Sequence, residues 1–190
     1  MDKARKIIFF DVDGILTYID SNKENDGIDE SRVELLKEIV DKTGADLVVI
    51  SSWKGYPLDD GTFYRPKCFG TLERVLSAHG LSIADETVYV PPKRKENSTY
   101  KDMGSMSIDE MDAYIRENFE PGYGRSREVY NWLAAHSEVK DFVILDDEDH
   151  EWDYYGYDKH WIRPSWFEPD GGLKPEHVKA AVKILMDGGE

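Results

Sequence analysis

The sequence predicts an α/β fold of the doubly wound, Rossmann-like kind, with a central parallel sheet, helices on both faces and a small cap or lid inserted into it. Three apolar runs, Ile7–Phe10, Leu47–Ile50 and Phe142–Leu145, are continuous rather than alternating, as in strands buried on both faces. Each run stops abruptly at polar residues. Helical patterns fill the intervals, and alternating strands and helices build a parallel sheet whose ligands gather beyond the carboxyl ends of its strands.

After the first run, "DESRVELLKEIVDKTG" sets Ser31 and Glu34 at capping-box spacing, aligns Val33, Leu36 and Val40 in a stripe, and supplies a stop at Gly44. The second run ends in "SSWK". Residues 56–124 then form a stretch too long for a simple crossover, which reads as an insertion. It contains a helix in "TLERVLSAHG" closed by Gly80, a strand-like "TVYV", and the Pro-led polar "PPKRKENSTYKDMGS". That polar segment lacks periodicity and reads as an exposed loop or lid over residues 91–106. Ser107 and Glu110 repeat the capping-box spacing at the head of "SIDEMDAYIRENF". In "SREVYNWLAAH", Ser126 is a candidate N-cap for a helix with Val129, Trp132, Leu133 and His136 on one face. A last helix is expected in "GLKPEHVKAAVKILMDGG", with Pro175 in its first turn and Val178, Val182 and Leu185 facing inward.

With 190 residues, 40% of them apolar, residues 1–190 read as a single domain that buries about two-thirds of its unfolded surface. A formal net charge of −15 argues against gripping nucleic acid or an anionic membrane by charge alone, and leaves room only for a local basic site. Cys68 is the one cysteine, so neither an intramolecular disulfide framework nor a thiolate metal cluster is expected, and its plainest role is that of a small buried residue. No apolar run approaches the roughly 20 residues of a membrane helix. "MDKARK" ahead of "IIFF" has too short an apolar core for a signal peptide. The expectation is a soluble, cytoplasmic chain with no membrane association; no repeat or low-complexity tract is present, and nothing points to a stable protein partner.

The chemistry concentrates at the strand ends. Asp11 and Asp13 leave the first strand on one face, and Gly14 lets the chain turn sharply beside them. Asp146 and Asp147 end the third strand, so in a parallel sheet all four acids share an edge. That much negative charge calls for a divalent cation, and an all-oxygen site suits Mg²⁺. Ser51 and Ser52 offer hydroxyl and amide donors at the same edge. Arg125 sits by a helix start, where guanidinium, dipole and free N–H groups can face an anion. Acids for a metal, donors and a cation are the parts of a phosphoryl-transfer site.

In this order "FFDVDGILT", "VVISSWK", "GRSREV" and "VILDDED" resemble the four motifs of the haloacid dehalogenase (HAD) superfamily of phosphotransferases, over Phe9 to Asp147. Within it, "SSW" followed by a basic residue, the "GR" with a Glu and "WL" after it, "VILDD", and the tail "GL" with its Glu are most similar to the HAD domain of "Swiss army knife" RNA repair proteins. The resemblance implies a HAD fold and a Mg²⁺-dependent phosphatase acting on a phosphorylated substrate, with a terminal phosphate of nucleic acid as the narrower expectation. It implies that Asp11 attacks phosphorus and becomes an aspartyl phosphate, and that Asp13 serves as acid and then base. Asp11, the backbone carbonyl of Asp13 and Asp146 would hold the metal, with Asp147 a direct or water-mediated ligand. Ser51 and Arg125 would hold the phosphoryl oxygens.

Each residue also has a plainer role. "DVDG" occurs as a simple turn, and the acidic tail of "DDEDHEWD" as a solvated one. Ser52 competes with Ser51 for the motif position, and the other serine would cap the next element. Superfamily members usually carry Lys where Arg125 stands, and Arg127, Lys93, Arg94 and Lys95 are rivals. Lys54 is either a phosphate contact or a surface lysine. "GYGRSR" lacks the third glycine of a dinucleotide fingerprint. His150, His160 and His177 show no metal spacing. The aromatics of "EWDYYGYDKHW" and "SWF" either stack bases or cover a core edge. Two other functions stay open: a phosphatase of nucleotides or sugar phosphates, and a non-catalytic phosphate-binding regulator.

Overall fold

A computed structural model describes residues 5–101 and 106–187. Its centre is a sheet of five strands in the order β5-β2-β1-β6-β7. The strands are β1 (Arg5–Phe10), β2 (Asp46–Val49), β5 (Ile83–Glu86), β6 (Val139–Leu145) and β7 (Trp161–Ile162). All neighbouring pairs are parallel. In register, Phe10 stands beside both Val49 and Leu145, so Asp11, Ser51 and Asp146 leave the sheet along one edge.

Both faces of the sheet are covered, which is why its strands read as unbroken apolar runs. Ile8, Phe10, Leu47, Val49, Val143 and Leu145 point into the core that also takes the inner faces of α1 (Glu30–Thr43), α2 (Lys67–Ala78) and α5 (Pro175–Asp187). Ile7, Phe9, Val48, Ile50, Phe142 and Ile144 point the other way, against Val129 and Trp132 of α4 (Arg125–Ala135) and the buried Trp152. Cys68 is half-buried at the rim of the first core.

Two expected caps form differently. The Ser31–Glu34 box is not made; Asp29 is the N-cap of α1, its carboxylate accepting from the Ser31 amide at 2.8 Å. Asp29 stands one residue before the helix, where an acceptor reaches the free amides, so it displaces Ser31 into the first turn. Ser126 lies inside the first turn of α4, whose N-cap is Gly124. Gly44 closes α1 in the left-handed conformation as expected, with φ 67°. The Ser107–Glu110 box forms at the head of α3 (Ile108–Asn118).

Residues 56–124 contain core as well as extra material. α2 and β5 are a crossover and edge strand of the central sheet. Added to it are an antiparallel hairpin, β3 (Tyr56–Pro57) with β4 (Phe63–Tyr64), and the stretch from β5 through α3 to α4. "TVYV" is not the strand. Pairing runs through "IADE", and Thr87 makes one last bond to Val49 before the chain leaves the sheet with Val88 exposed. Of the expected lid, residues 91–101 are irregular chain pinned to the end of α3, the Lys95 amide on Asn118 and the Glu120 amide on Lys93; residues 102–105 lie outside the described residues. No described helix is long and apolar enough to cross a membrane.

Candidate active site

β1 carries Asp11 to the sheet edge, where its amide donates to the Leu145 carbonyl at 2.9 Å and its side chain is buried. The chain then doubles back: the Val12 carbonyl accepts from the amides of Ile15, Leu16 and Thr17. Gly14 makes this possible with φ 73°, and a Cβ there would lie 2.1 Å from Cγ of Asp147. The glycine is therefore what lets the β1 turn and the acidic end of β6 approach each other.

Oxygens of Asp11, Asp146 and Asp147 lie within 4.8 Å of one another. Burial is the first reason this costs energy. It pushes the Asp147 carboxyl up to about 8, with Asp146 and Asp11 adding to the rise. Asp146 is raised as well, by burial and by Asp11, against the pull of Arg125. Glu148 is raised chiefly by burial.

Asp13 stands apart from this trio. One of its oxygens accepts from the Trp53 indole at 2.9 Å and the other from the Thr17 hydroxyl at 3.0 Å. Burial and then the Asp11 charge raise its pKa, and the two hydrogen bonds work against that rise. A fixed carboxyl with an elevated pKa beside a buried carboxylate is equipped to give a proton and take one back.

Among the rival cations, Arg125 reaches the acids. Its Nη1 donates to Asp11 and to Asp146, at 2.8 Å each. Burial opposes its charge, but the Asp11 and Asp146 carboxylates outweigh it and hold the guanidinium well above its ordinary pKa. Arg127 points instead to the Tyr155 hydroxyl, Arg94 to Tyr114, and Lys95 to the Arg116 carbonyl. Lys93 stands over the Tyr123 ring.

The two serines divide the roles. Ser51 is fully buried, and its hydroxyl accepts from the Trp53 amide, capping a short 3-10 turn over Ser52–Lys54. Ser52 is exposed and lines the cavity that holds Asp11, Asp13, Asp147 and Arg125, about 510 Å³ in volume. Lys54 is neither a surface lysine nor open to that cavity. It is buried, 3.0 Å from the Glu128 carboxylate, and directed at the carbonyls of Ile50 and Ser51.

Sequence reasoning missed Glu128, Trp53 and Glu148. Glu128 also accepts from the Thr87 hydroxyl at 2.7 Å and the Val90 amide at 3.1 Å, tying α4 to the chain leaving β5. Its signal was the spacing in "GRSRE", which puts Glu128 one turn below Arg125 on the same helix face. Trp53 had no signal beyond its place in "SSWK". His150 is drawn well below its ordinary pKa, by burial first and then by the Arg125, Arg163 and Lys54 charges. Trp152 is core, while the exposed Tyr130 stacks on the half-buried Tyr155 at 4.6 Å.

No curated protein matches this chain. The family model that does match describes the HAD domain in Swiss Army Knife RNA repair proteins, and it spans residues 7–178. The match takes in the sheet, the acidic edge and the start of the last helix, and by it the chain belongs to that family of HAD domains.

Proposed function

We propose that this phosphatase-type HAD domain is a Mg²⁺-dependent phosphomonoesterase that works through an aspartyl phosphate and removes a terminal phosphate from nucleic acid. The observation that carries the chemistry is the division of labour at the sheet edge. Asp11 is gathered with Asp146 and Asp147, while Asp13 is held separately by Trp53 and Thr17. The nucleic-acid end is supported by the family, whose HAD domains occur in RNA repair proteins.

Three carboxylates on one edge are a hard-oxygen donor set; burial first, and then the charges of Asp146 and Asp11, raise the Asp147 pKa, and a small divalent cation would relieve both costs. Asp11, Asp146 and Asp147 would hold Mg²⁺, with the Asp13 carbonyl completing the set. The ion supplies charge neutralisation between nucleophile and phosphate. Asp11 attacks phosphorus; Asp13 protonates the departing oxygen and then takes a proton from the water that cleaves the acyl phosphate. Arg125 and Ser52, both lining the cavity, hold the phosphoryl oxygens, and Ser51 keeps the turn that presents Ser52. Arg125 bridges Asp11 and Asp146, which orders the nucleophile.

The test is phosphate release from an aryl phosphate, mononucleotides, sugar phosphates and oligonucleotides phosphorylated at either end, with and without Mg²⁺. Preference for the oligonucleotides supports the reading, and preference for a mononucleotide or sugar phosphate moves it to a small-molecule phosphatase. Binding of vanadate without turnover of any ester would favour the non-catalytic regulator.

Metal binding has its own expected signature. Asp147 titrates near 8 in the folded chain against an ordinary value of 3.8, so folding favours its protonated form. The contribution of Asp147 to metal-free stability is then fully present below about pH 4 and is lost as pH rises toward about 8. Mg²⁺ at a hundredfold excess over its Kd should restore about 2.7 kcal/mol, roughly 5–10 °C in melting temperature for a domain of this size. Melting curves across pH 5 to 9, with EDTA or Mg²⁺, check this. A melting temperature indifferent to both would argue against metal at the three carboxylates.

A further inference from the structure

A second cavity of about 310 Å³ adjoins the catalytic one, and the two share Ser52, Met111, Ile115, Arg125 and Glu148 in their walls. Its character is different. Tyr89, Pro92, Phe119 and Tyr123 give it flat apolar and aromatic sides, and the two cations in its wall are both paired with carboxylates, Lys54 with Glu128 and Arg125 with Asp11 and Asp146. Glu120 and Glu148 stand on the wall. They repel a second phosphate but accept hydrogen bonds from exocyclic amines. The cavity therefore suits a neutral, flat, amine-bearing ring attached to the phosphate that sits next door.

The aromatic lining continues outside. Tyr89 lies 5.9 Å from the Tyr56 ring, which lies 5.4 Å from Tyr64, so three rings lead from the cavity onto the β3–β4 hairpin. Tyr56, Tyr64 and their neighbour Phe63 are all exposed, more aromatic surface than a hairpin needs for its own packing. The hairpin is fixed in place: Gly55, φ 87°, approaches so closely that a Cβ would lie 2.0 Å from the Tyr64 carbonyl oxygen. It follows directly on the turn that carries Ser52. On the other side of the cavity, Lys93 stands 5.4 Å over the Tyr123 ring, where a backbone phosphate leaving the cavity would meet a cation.

We propose that the second cavity takes the terminal base of an unpaired nucleic-acid strand, and that Tyr89, Tyr56 and Tyr64 stack the bases that follow. The inference rests on the phosphatase reading for what happens at the terminal phosphate, and adds that the substrate is a single-stranded end several nucleotides long rather than a mononucleotide or a blunt duplex. Aromatic platforms bind bases with little sequence preference, and each stacked base adds affinity.

The experiment is calorimetric titration of the whole chain with phosphate-free ligands: a nucleoside, a di-, tri- and tetranucleotide, and a blunt duplex. Affinity should tighten at least tenfold from nucleoside to trinucleotide, and the duplex should not compete. Tyr56→Ala with Tyr64→Ala should erase the gain, and Tyr56→Phe with Tyr64→Phe, which keeps the rings, should retain it. Affinity independent of length, or unchanged by the alanine pair, would overturn the proposal. Aryl phosphate turnover measured alongside separates the two readings. Turnover without length-dependent binding leaves the phosphatase and removes the base path; length-dependent binding without turnover of any ester does the reverse.

Discussion

Asp11→Asn is expected to lower phosphate release by roughly 10⁶-fold, the scale on which loss of a catalytic nucleophile acts. An amide oxygen is too weak a nucleophile to attack phosphorus, and nothing else at the β1 end can replace it, because Asp13 is committed to Trp53 and Thr17. The fold should survive. Asn matches Asp in shape, the change removes one charge from a crowded trio, and Arg125 keeps its 2.8 Å bond to Asp146. The metal-free melting temperature of the variant should therefore be no lower than that of the wild type, while its Mg²⁺-induced rise should shrink. Asp13→Asn should cost less, roughly 10²–10⁴-fold, as befits loss of a general acid and base. Steady-state rates on the best substrate of the panel, with melting curves for each variant, check all three.

Lys54→Met is expected to destabilise the fold by about 3–5 kcal/mol, because it leaves the Glu128 carboxylate buried without its cation. Both side chains are about 4% exposed and lie 3.0 Å apart. Glu128 would keep its bonds from Thr87 and Val90, so the loss is the charge partner rather than all of its donors. Removing both charges in Lys54→Met with Glu128→Leu should recover most of the stability, since a well-packed apolar pair replaces a buried ion pair with little penalty. Urea denaturation measures both. A single-variant loss under about 1 kcal/mol would mean that Glu128 sheds its charge by taking up a proton.

What the sequence reveals follows from which interactions are local. β1, β2 and β6 are legible because burial on both faces writes an unbroken apolar run, and their shared polar ends point to the acidic edge. β5 is not, because an edge strand with residues as polar as Asp85 and Glu86 leaves no such run, and the apolar "TVYV" beside it draws the assignment one step too far. The Asp29 cap lost to a better-known spacing only in the sequence; in the chain its position before the first turn decides. Lys54 reads in the sequence as either a phosphate contact or a surface lysine, and Glu128 only as part of a motif, since their partnership spans 74 residues and depends on how α4 meets the end of β2. Two adjacent serines at a strand end look alike in sequence; the folded turn sets them apart, with the Ser51 hydroxyl capping it and Ser52 on the cavity wall.

The most direct test of the account is acid quenching of the wild-type chain during Mg²⁺-supported turnover, followed by peptide mapping. The account predicts a hydroxylamine-sensitive phosphoryl group on the peptide that contains Asp11, absent from Asp11→Asn and from chain quenched without Mg²⁺. Turnover with no phosphorylated peptide, or with the phosphoryl group on any other residue, would contradict it.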